Sequence, residues 1–238
     1  MAEGQLHHKL AIDRAIFDSH FRDPNVQPVT KSYSSLLSLL RLQTDSTDLA
    51  LIAIDGCGAA GKTTFARKLA QQFRHAQIVP MDDFYQPSAD QNIAADNGSP
   101  IGSLFDWQRL EQQVLSPLSK GLPGRYQRYD WHAHALAEWQ EVPAAGVIIV
   151  EGVYSARREL ADYYSHIIWI ETPAKERLRR GIARDGEKSR GRWEGVWMSA
   201  EERYVNDDSP RKRADIVVDG SGATAHELET EFVCWEPR

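Results

Sequence analysis

Eight consecutive residues, Gly56-Cys57-Gly58-Ala59-Ala60-Gly61-Lys62-Thr63, satisfy the pattern G-x-x-x-x-G-K-[ST] in full. Each position has a chemical purpose. Glycine has no Cβ, so the loop can curl until successive backbone N–H groups point inward at phosphate oxygens, with the positive N-terminal end of a following helix behind them. Gly56, Gly58, Ala59, Ala60 and Gly61 would form that cradle, continued by Thr64. Lys62 would reach the β- and γ-phosphates of a nucleoside triphosphate, and Thr63 would offer its hydroxyl to Mg²⁺ bridging the same phosphates. At average residue usage such a match arises by chance in about one chain in a hundred of this length, so its setting has to carry weight too.

The setting is the expected one. Leu49-Ala50-Leu51-Ile52-Ala53-Ile54 reads as a strand buried on both faces, of the kind a parallel sheet uses centrally. From Thr63 to Phe73 the residues Phe65, Leu69 and Phe73 recur every four positions and predict a helix with one apolar face. Further short apolar runs at 77–79, 147–150, 167–170 and 216–218 raise the count to five strands, separated by helical or loop-like sequence. Strands alternating with helices imply right-handed crossovers and a doubly wound, mostly parallel five-stranded α/β sheet, with ligands outside the carboxyl ends of its strands. The leucines at 36, 37, 39, 40 and 42 predict a helix between Ser32 and Leu42, so residues 1–45 are read as an N-terminal helical extension and 46–238 as the catalytic domain. Residues 86–102, rich in Asp, Asn, Ser, Gly and Pro, predict a mobile surface loop, and no internal repeat is present.

Composition narrows the function classes. A 238-residue chain with 42% hydrophobic and 26% charged residues is of ordinary globular character. Its net charge of −6 disfavours a protein that coats nucleic acid, so a small-molecule partner is expected. No apolar run suits a membrane span, and charges interrupt the first residues where a signal peptide needs an apolar stretch, which points to the cytoplasm. Cys57 and Cys234 are the only cysteines, giving neither a disulfide framework nor a zinc module. His132 and His134 without further partners do not complete a zinc shell. Homo-oligomerisation is left open.

Other elements separate the nucleotide-using classes. No N-K-x-D follows the cradle as a switch GTPase would require. Instead Val79-Pro80-Met81-Asp82-Asp83-Phe84-Tyr85 ends the second strand, Val150-Glu151-Gly152 ends the third, and Tyr129-Asp130-Trp131-His132-Ala133-His134 lies between. Arg184-Asp185 and Arg190-Gly191-Arg192 follow, within a run of eight Lys or Arg against three Asp or Glu from Lys175 to Arg192. In kind and order, from about Leu49 to Gly220, these motifs resemble the uridine kinase and phosphoribulokinase family of P-loop kinases.

The resemblance implies an ATP- and Mg²⁺-dependent kinase. It makes Asp82 the base that contacts the acceptor hydroxyl, a role phosphoryl transfer requires of some carboxylate, with Asp83 standing where the family often has serine. Glu151, at a strand end, supports Mg²⁺ together with Thr63 and Asp82. Tyr85, Tyr129, Trp131 and His134 become the nucleoside pocket, and Phe105-Asp106 approach the ribose, although the string usual before this pair is absent. The basic run over about 175–200 becomes a lid in which Arg184, Arg190 and Arg192 close over the phosphates. Gly181 occupies a position where the typical uridine kinase has arginine, and an extra residue precedes Arg190. The expected reaction is transfer to the 5′-hydroxyl of uridine or cytidine. A sugar, pantothenate-like or other vitamin-like alcohol is the alternative acceptor, and a nucleotide-binding regulatory protein without turnover is the alternative of another class.

Overall fold

The computed structural model describes residues 27–87 and 100–235. In chain order, β1 (Val29–Ser32) and α1 (Tyr33–Leu39) precede β2 (Ala50–Asp55) and α2 (Lys62–Ala70), and β3 (Ala76–Pro80) runs into a 3₁₀ turn over Met81–Phe84. A helical stretch follows, built of α3 (Trp107–Leu110), a π turn over Glu111–Leu115 and α4 (Ser116–Ser119). Next come the hairpin strands β4 (Gly124–Asp130) and β5 (Ala135–Val142), then β6 (Val147–Glu151), β7 (His166–Glu171) and α5 (Ala174–Asp185). A return segment of α6 (Arg190–Arg192), a π turn over Trp193–Trp197 and α7 (Met198–Asp207) leads to β8 (Ile216–Asp219) and β9 (Glu231–Trp235).

All five apolar runs are strands of one sheet, ordered β1-β9-β8-β7-β2-β6-β3, in which β3, β6, β2, β7 and β8 are mutually parallel. Among the described residues the sheet has seven strands, two more than the apolar runs predict. β1 and β9 are short, carry polar residues and pair antiparallel, so neither shows the continuous apolar run of a central strand. The hairpin β4–β5 forms a separate two-stranded sheet. The N-terminal helix is shorter than its leucines suggest: Ser32 caps it by accepting from the Ser35 amide, and Arg41, at φ 53°, turns the chain away. Much of the proposed loop, residues 88–99, and most of the proposed extension, residues 1–26, lie outside the described residues.

The burial pattern explains why β2 is central. Ile52 and Ile54 pack into a core with Phe65, Leu69, Ile149 and Ile170, while Leu51 and Ala53 face the opposite core with Phe84, Val114, Leu115 and Val150. A strand with water on neither face has no use for polar alternation. Residues of β1 and α1 belong to the first of these cores. Tyr33, Phe65 and Phe232 form a triangle of rings with centroids 5.5–5.7 Å apart, tying α1, α2 and β9 together. Phe232→Ala should therefore destabilise the whole domain by about 3–5 kcal/mol, read as a lower urea midpoint of a single cooperative transition. A separate early transition for the N-terminal elements would show instead that they are not part of this core.

Candidate functional site: a phosphate cradle beneath a basic return segment

The register brings the chemistry to one edge. Glu151 stands beside Ile54 of β2 on one side and Pro80 of β3 on the other, so the residues just past those strand ends, Gly56 and Met81–Tyr85, flank it. Gly56 has φ 149°, and a Cβ there would come within 2.5 Å of the Ile170 carbonyl oxygen, so the chain can leave the sheet at this point only as glycine. Above this edge lies a cavity of about 760 Å³. Its walls include Gly58, Ala59, Gly61, Lys62, Thr63 and Thr64 of the loop, Asp82 and Tyr85, Phe105, Trp131, Glu151, and Arg184 and Arg192 of the basic run. These sequence-selected residues thus meet in one place.

The remaining selected residues stand further back. Gly56 and Ala60 are buried beneath the loop. Asp106 caps α3 by accepting from the Arg109 amide at 2.9 Å. Tyr129 is fully buried behind Tyr85 and Trp131, and its hydroxyl meets His134 Nδ1 at 3.3 Å. Arg190 pairs with Glu187 and Glu194.

The polar centre is tightly interconnected. The Lys62 ammonium donates to the Cys57 carbonyl at 2.9 Å. The Thr63 hydroxyl donates to Glu151 at 3.1 Å, next to a carboxyl whose pKa is raised by burial and by the nearby Asp82 charge, against the pull of Lys62. Asp82 opens onto the cavity but is enclosed by protein on its other sides; this enclosure pushes its carboxyl pKa up, while Lys62 and Arg184 pull it back. Asp83 points elsewhere, accepting from the Tyr126 hydroxyl of β4 at 3.0 Å, with its pKa raised to about 6 mainly by burial. Two carboxylates and a hydroxyl are hard oxygen donors of the kind Mg²⁺ takes when phosphates complete its shell. Among the described residues no cluster of three or more His, Cys, Asp or Glu side chains could hold a metal by itself.

The opposite wall is aromatic. Tyr85 lies 4.5 Å from Trp131, 5.4 Å from Phe105 and 5.3 Å from Tyr129, centroid to centroid, and Trp131 leaves almost half of its surface open.

The sequence profile of the Phosphoribulokinase / Uridine kinase family matches residues 51–221, the stretch that builds this cavity. The chain belongs to that family. Among curated relatives, the uridine kinase of Mycoplasma pneumoniae is 28% identical over 202 residues, covering 79% of this chain and 92% of its own. The uridine-cytidine kinase-like 1 protein of Mus musculus is 31% identical over 198 residues, covering 76% of this chain and 35% of that longer protein. A solved structure described as a possible uridine kinase from Bacillus stearothermophilus superposes with a TM-score of 0.59 at 22% identity, covering 78% of this chain and 96% of that one, a likeness of fold. The protein is accordingly an α/β P-loop kinase that phosphorylates a small-molecule hydroxyl. Among its described residues no helix is long and apolar enough to cross a membrane.

Gly181 of α5 lies under tight packing. A Cβ at Gly181 would lie 2.4 Å from the Trp193 indole, which is buried against α5 and donates from Nε1 to Asp185 at 2.9 Å. The indole leaves no room for a side chain at position 181.

Motif reading also passed over Asp55, the last residue of β2. Its carboxylate is wholly buried and accepts four hydrogen bonds, from the amides of Gly56 at 2.6 Å, Tyr154 at 3.2 Å and Ala156 at 2.9 Å and from the Tyr204 hydroxyl at 2.6 Å. The sequence signal was present, a carboxylate ending an apolar strand directly before the cradle. Burial raises the Asp55 pKa to about 6, held from going higher by Tyr204, by the Ala156 and Gly56 amides and by Lys62. The folded protein therefore takes up this proton at a higher pH than the unfolded chain. The resulting stabilisation is complete below about pH 4 and is lost as pH rises through about 6, a change on the order of 3 kcal/mol. Urea unfolding between pH 4.5 and 7 should show this slope in the wild type and a shallower one in Asp55→Asn; parallel slopes would remove Asp55 as its source.

Proposed function

We propose that this kinase transfers the γ-phosphoryl group of ATP, with Mg²⁺, to the 5′-hydroxyl of uridine or cytidine. The observation that carries the reading is one cavity holding the phosphate loop, Asp82 and the Tyr85–Trp131 aromatic wall together. Flat ring faces suit a pyrimidine, with Tyr129 and His134 bracing the wall from behind. Asp82 would accept the hydroxyl proton as the oxygen attacks in line, and its raised pKa brings it nearer to the value a general base needs. Lys62 and Arg184 lie on the cavity wall where charge spreads over the transferring group. Thr63, Glu151 and Asp82 would hold Mg²⁺, which supplies charge neutralisation at the phosphates when bound. In this proposal residues 46–238 form the catalytic unit, 175–200 its lid with Arg190 and Arg192 joining Arg184, and the protein works in the cytoplasm.

A coupled ADP-release assay across nucleosides, sugars and vitamin-like alcohols tests the acceptor. Turnover with uridine or cytidine far above the rest is expected; turnover with a sugar or vitamin-like alcohol alone would replace the nucleoside. Trp131→Ala should raise KM for the nucleoside at least tenfold and leave KM for ATP within about threefold. A selective loss of ATP binding would place the acceptor elsewhere.

The chemistry has its own test. Asp82→Asn is nearly isosteric but cannot take the proton, so kcat should fall about 10²–10⁴-fold with ATP binding largely kept. Asp83→Asn, whose carboxylate is turned toward Tyr126, should cost about tenfold or less. Lys62→Ala should fold and lose most turnover; retention within about threefold would refute its role. An inactive Asp83 variant beside an active Asp82 variant would overturn the assigned geometry.

A further inference from the structure

A third carboxylate touches the phosphate loop beside Asp55 and Glu151, and no reading of the motifs selects it. Glu201 on α7 is almost fully buried, yet it reaches the cavity wall. Its Oε1 accepts the Gly58 amide at 2.8 Å, and its Oε2 accepts from Arg177 Nη1 at 2.8 Å. Arg177 is buried as well and donates from Nε to the Thr172 carbonyl at 3.1 Å, while the Thr172 hydroxyl donates to the Ala60 carbonyl at 2.9 Å. The loop is thus gripped at Gly58 and Ala60 by one buried chain of polar contacts running through α5 and α7.

Position 58 bears the mark of that grip. A Cβ there would meet Glu201 Oε1 at 2.7 Å and the Trp193 ring at 3.1 Å. The general motif leaves this position open, and here glycine is imposed by the return segment pressing onto the loop. We propose that Glu201, anchored by Arg177, is a positioning residue that sets the shape of the phosphate cradle, so that ATP affinity depends on a contact made from the return segment. The inference rests on the cradle binding ATP as argued above. Glu201 acts through the Gly58 amide and not through its charge, since Arg177 already balances that charge at contact distance.

Two variants separate tether from charge. Glu201→Gln with Arg177→Met keeps an oxygen for the Gly58 amide and removes both charges of the buried pair. Glu201→Leu with Arg177→Met removes both partners for apolar groups of comparable size, an exchange that buried ion pairs often tolerate. Binding of the non-hydrolysable β,γ-imido analogue of ATP with Mg²⁺ is measured by calorimetry, and KM for the acceptor by steady-state kinetics. The expected result is a Kd within about threefold of wild type for the Glu201→Gln, Arg177→Met protein and at least tenfold weaker for the Glu201→Leu, Arg177→Met protein, with acceptor KM little changed in both. A Glu201→Leu, Arg177→Met protein that binds within threefold, or that does not fold, assigns the pair to stability alone and overturns the inference. A Glu201→Gln, Arg177→Met protein as weak as the Glu201→Leu one overturns it too, by making charge the determinant. Wild-type protein that fails to bind the analogue would sink the nucleotide reading itself, an outcome distinct from either.

Discussion

The structure turns on a buried charge that must be matched by donors. Asp55 ends the central strand with no access to water, and an isolated carboxylate there would be costly to bury. Four donors converge on it from three places: the first amide of the phosphate loop, two amides just beyond Glu151, and a hydroxyl on α7. Satisfying one side chain therefore fixes the relative positions of the cradle, the strand end bearing Glu151, and the return segment. An apolar residue at position 55 would leave those donors to find separate acceptors, and nothing would oblige the three segments to meet.

The same low-dielectric setting shapes the reacting groups. Asp82, Glu151 and Asp55 are all pushed toward protonation by burial, and Lys62 opposes the shift at each of them. One lysine thus serves three carboxylates around the cradle. In the proposed reaction the arrival of phosphates and a divalent cation rearranges that balance, because Lys62 gains anionic partners while the cation gains Glu151 and Asp82. The Cys57 thiol, inside the same loop, is pushed well up by burial and contributes only packing.

The central strands were readable because burial on both faces leaves an uninterrupted apolar run, and the cradle because phosphate geometry demands particular residue types at fixed spacing. β1, β9 and the hairpin were not, since short antiparallel strands that mix polar and apolar residues are hard to separate from loops. For the site, Asp82, Glu151 and Trp131 carried a local signal, a strand end or an aromatic motif. Glu201 did not: it lies 143 residues from the Gly58 amide it accepts and reads as one of three acidic residues on a polar helix. Contacts of that kind are created by topology, so no local pattern announces them.

Gly181 and Trp193 show how one glycine organises a wall. The glycine admits the indole, and the indole engages Asp185 and lies beside both Arg184 and Gly58. Arg184 in turn forms a bidentate pair with Asp185, so the orientation of a basic group facing the cavity is set by the same indole that closes on the phosphate loop. A rigid aromatic body packed on this glycine lets the return segment approach α5 closely. The helix pair then bears on the loop through Trp193, Glu201 and Tyr204 at once, and the geometry of the cradle becomes a property of the basic segment that covers it as much as of the glycines that line it.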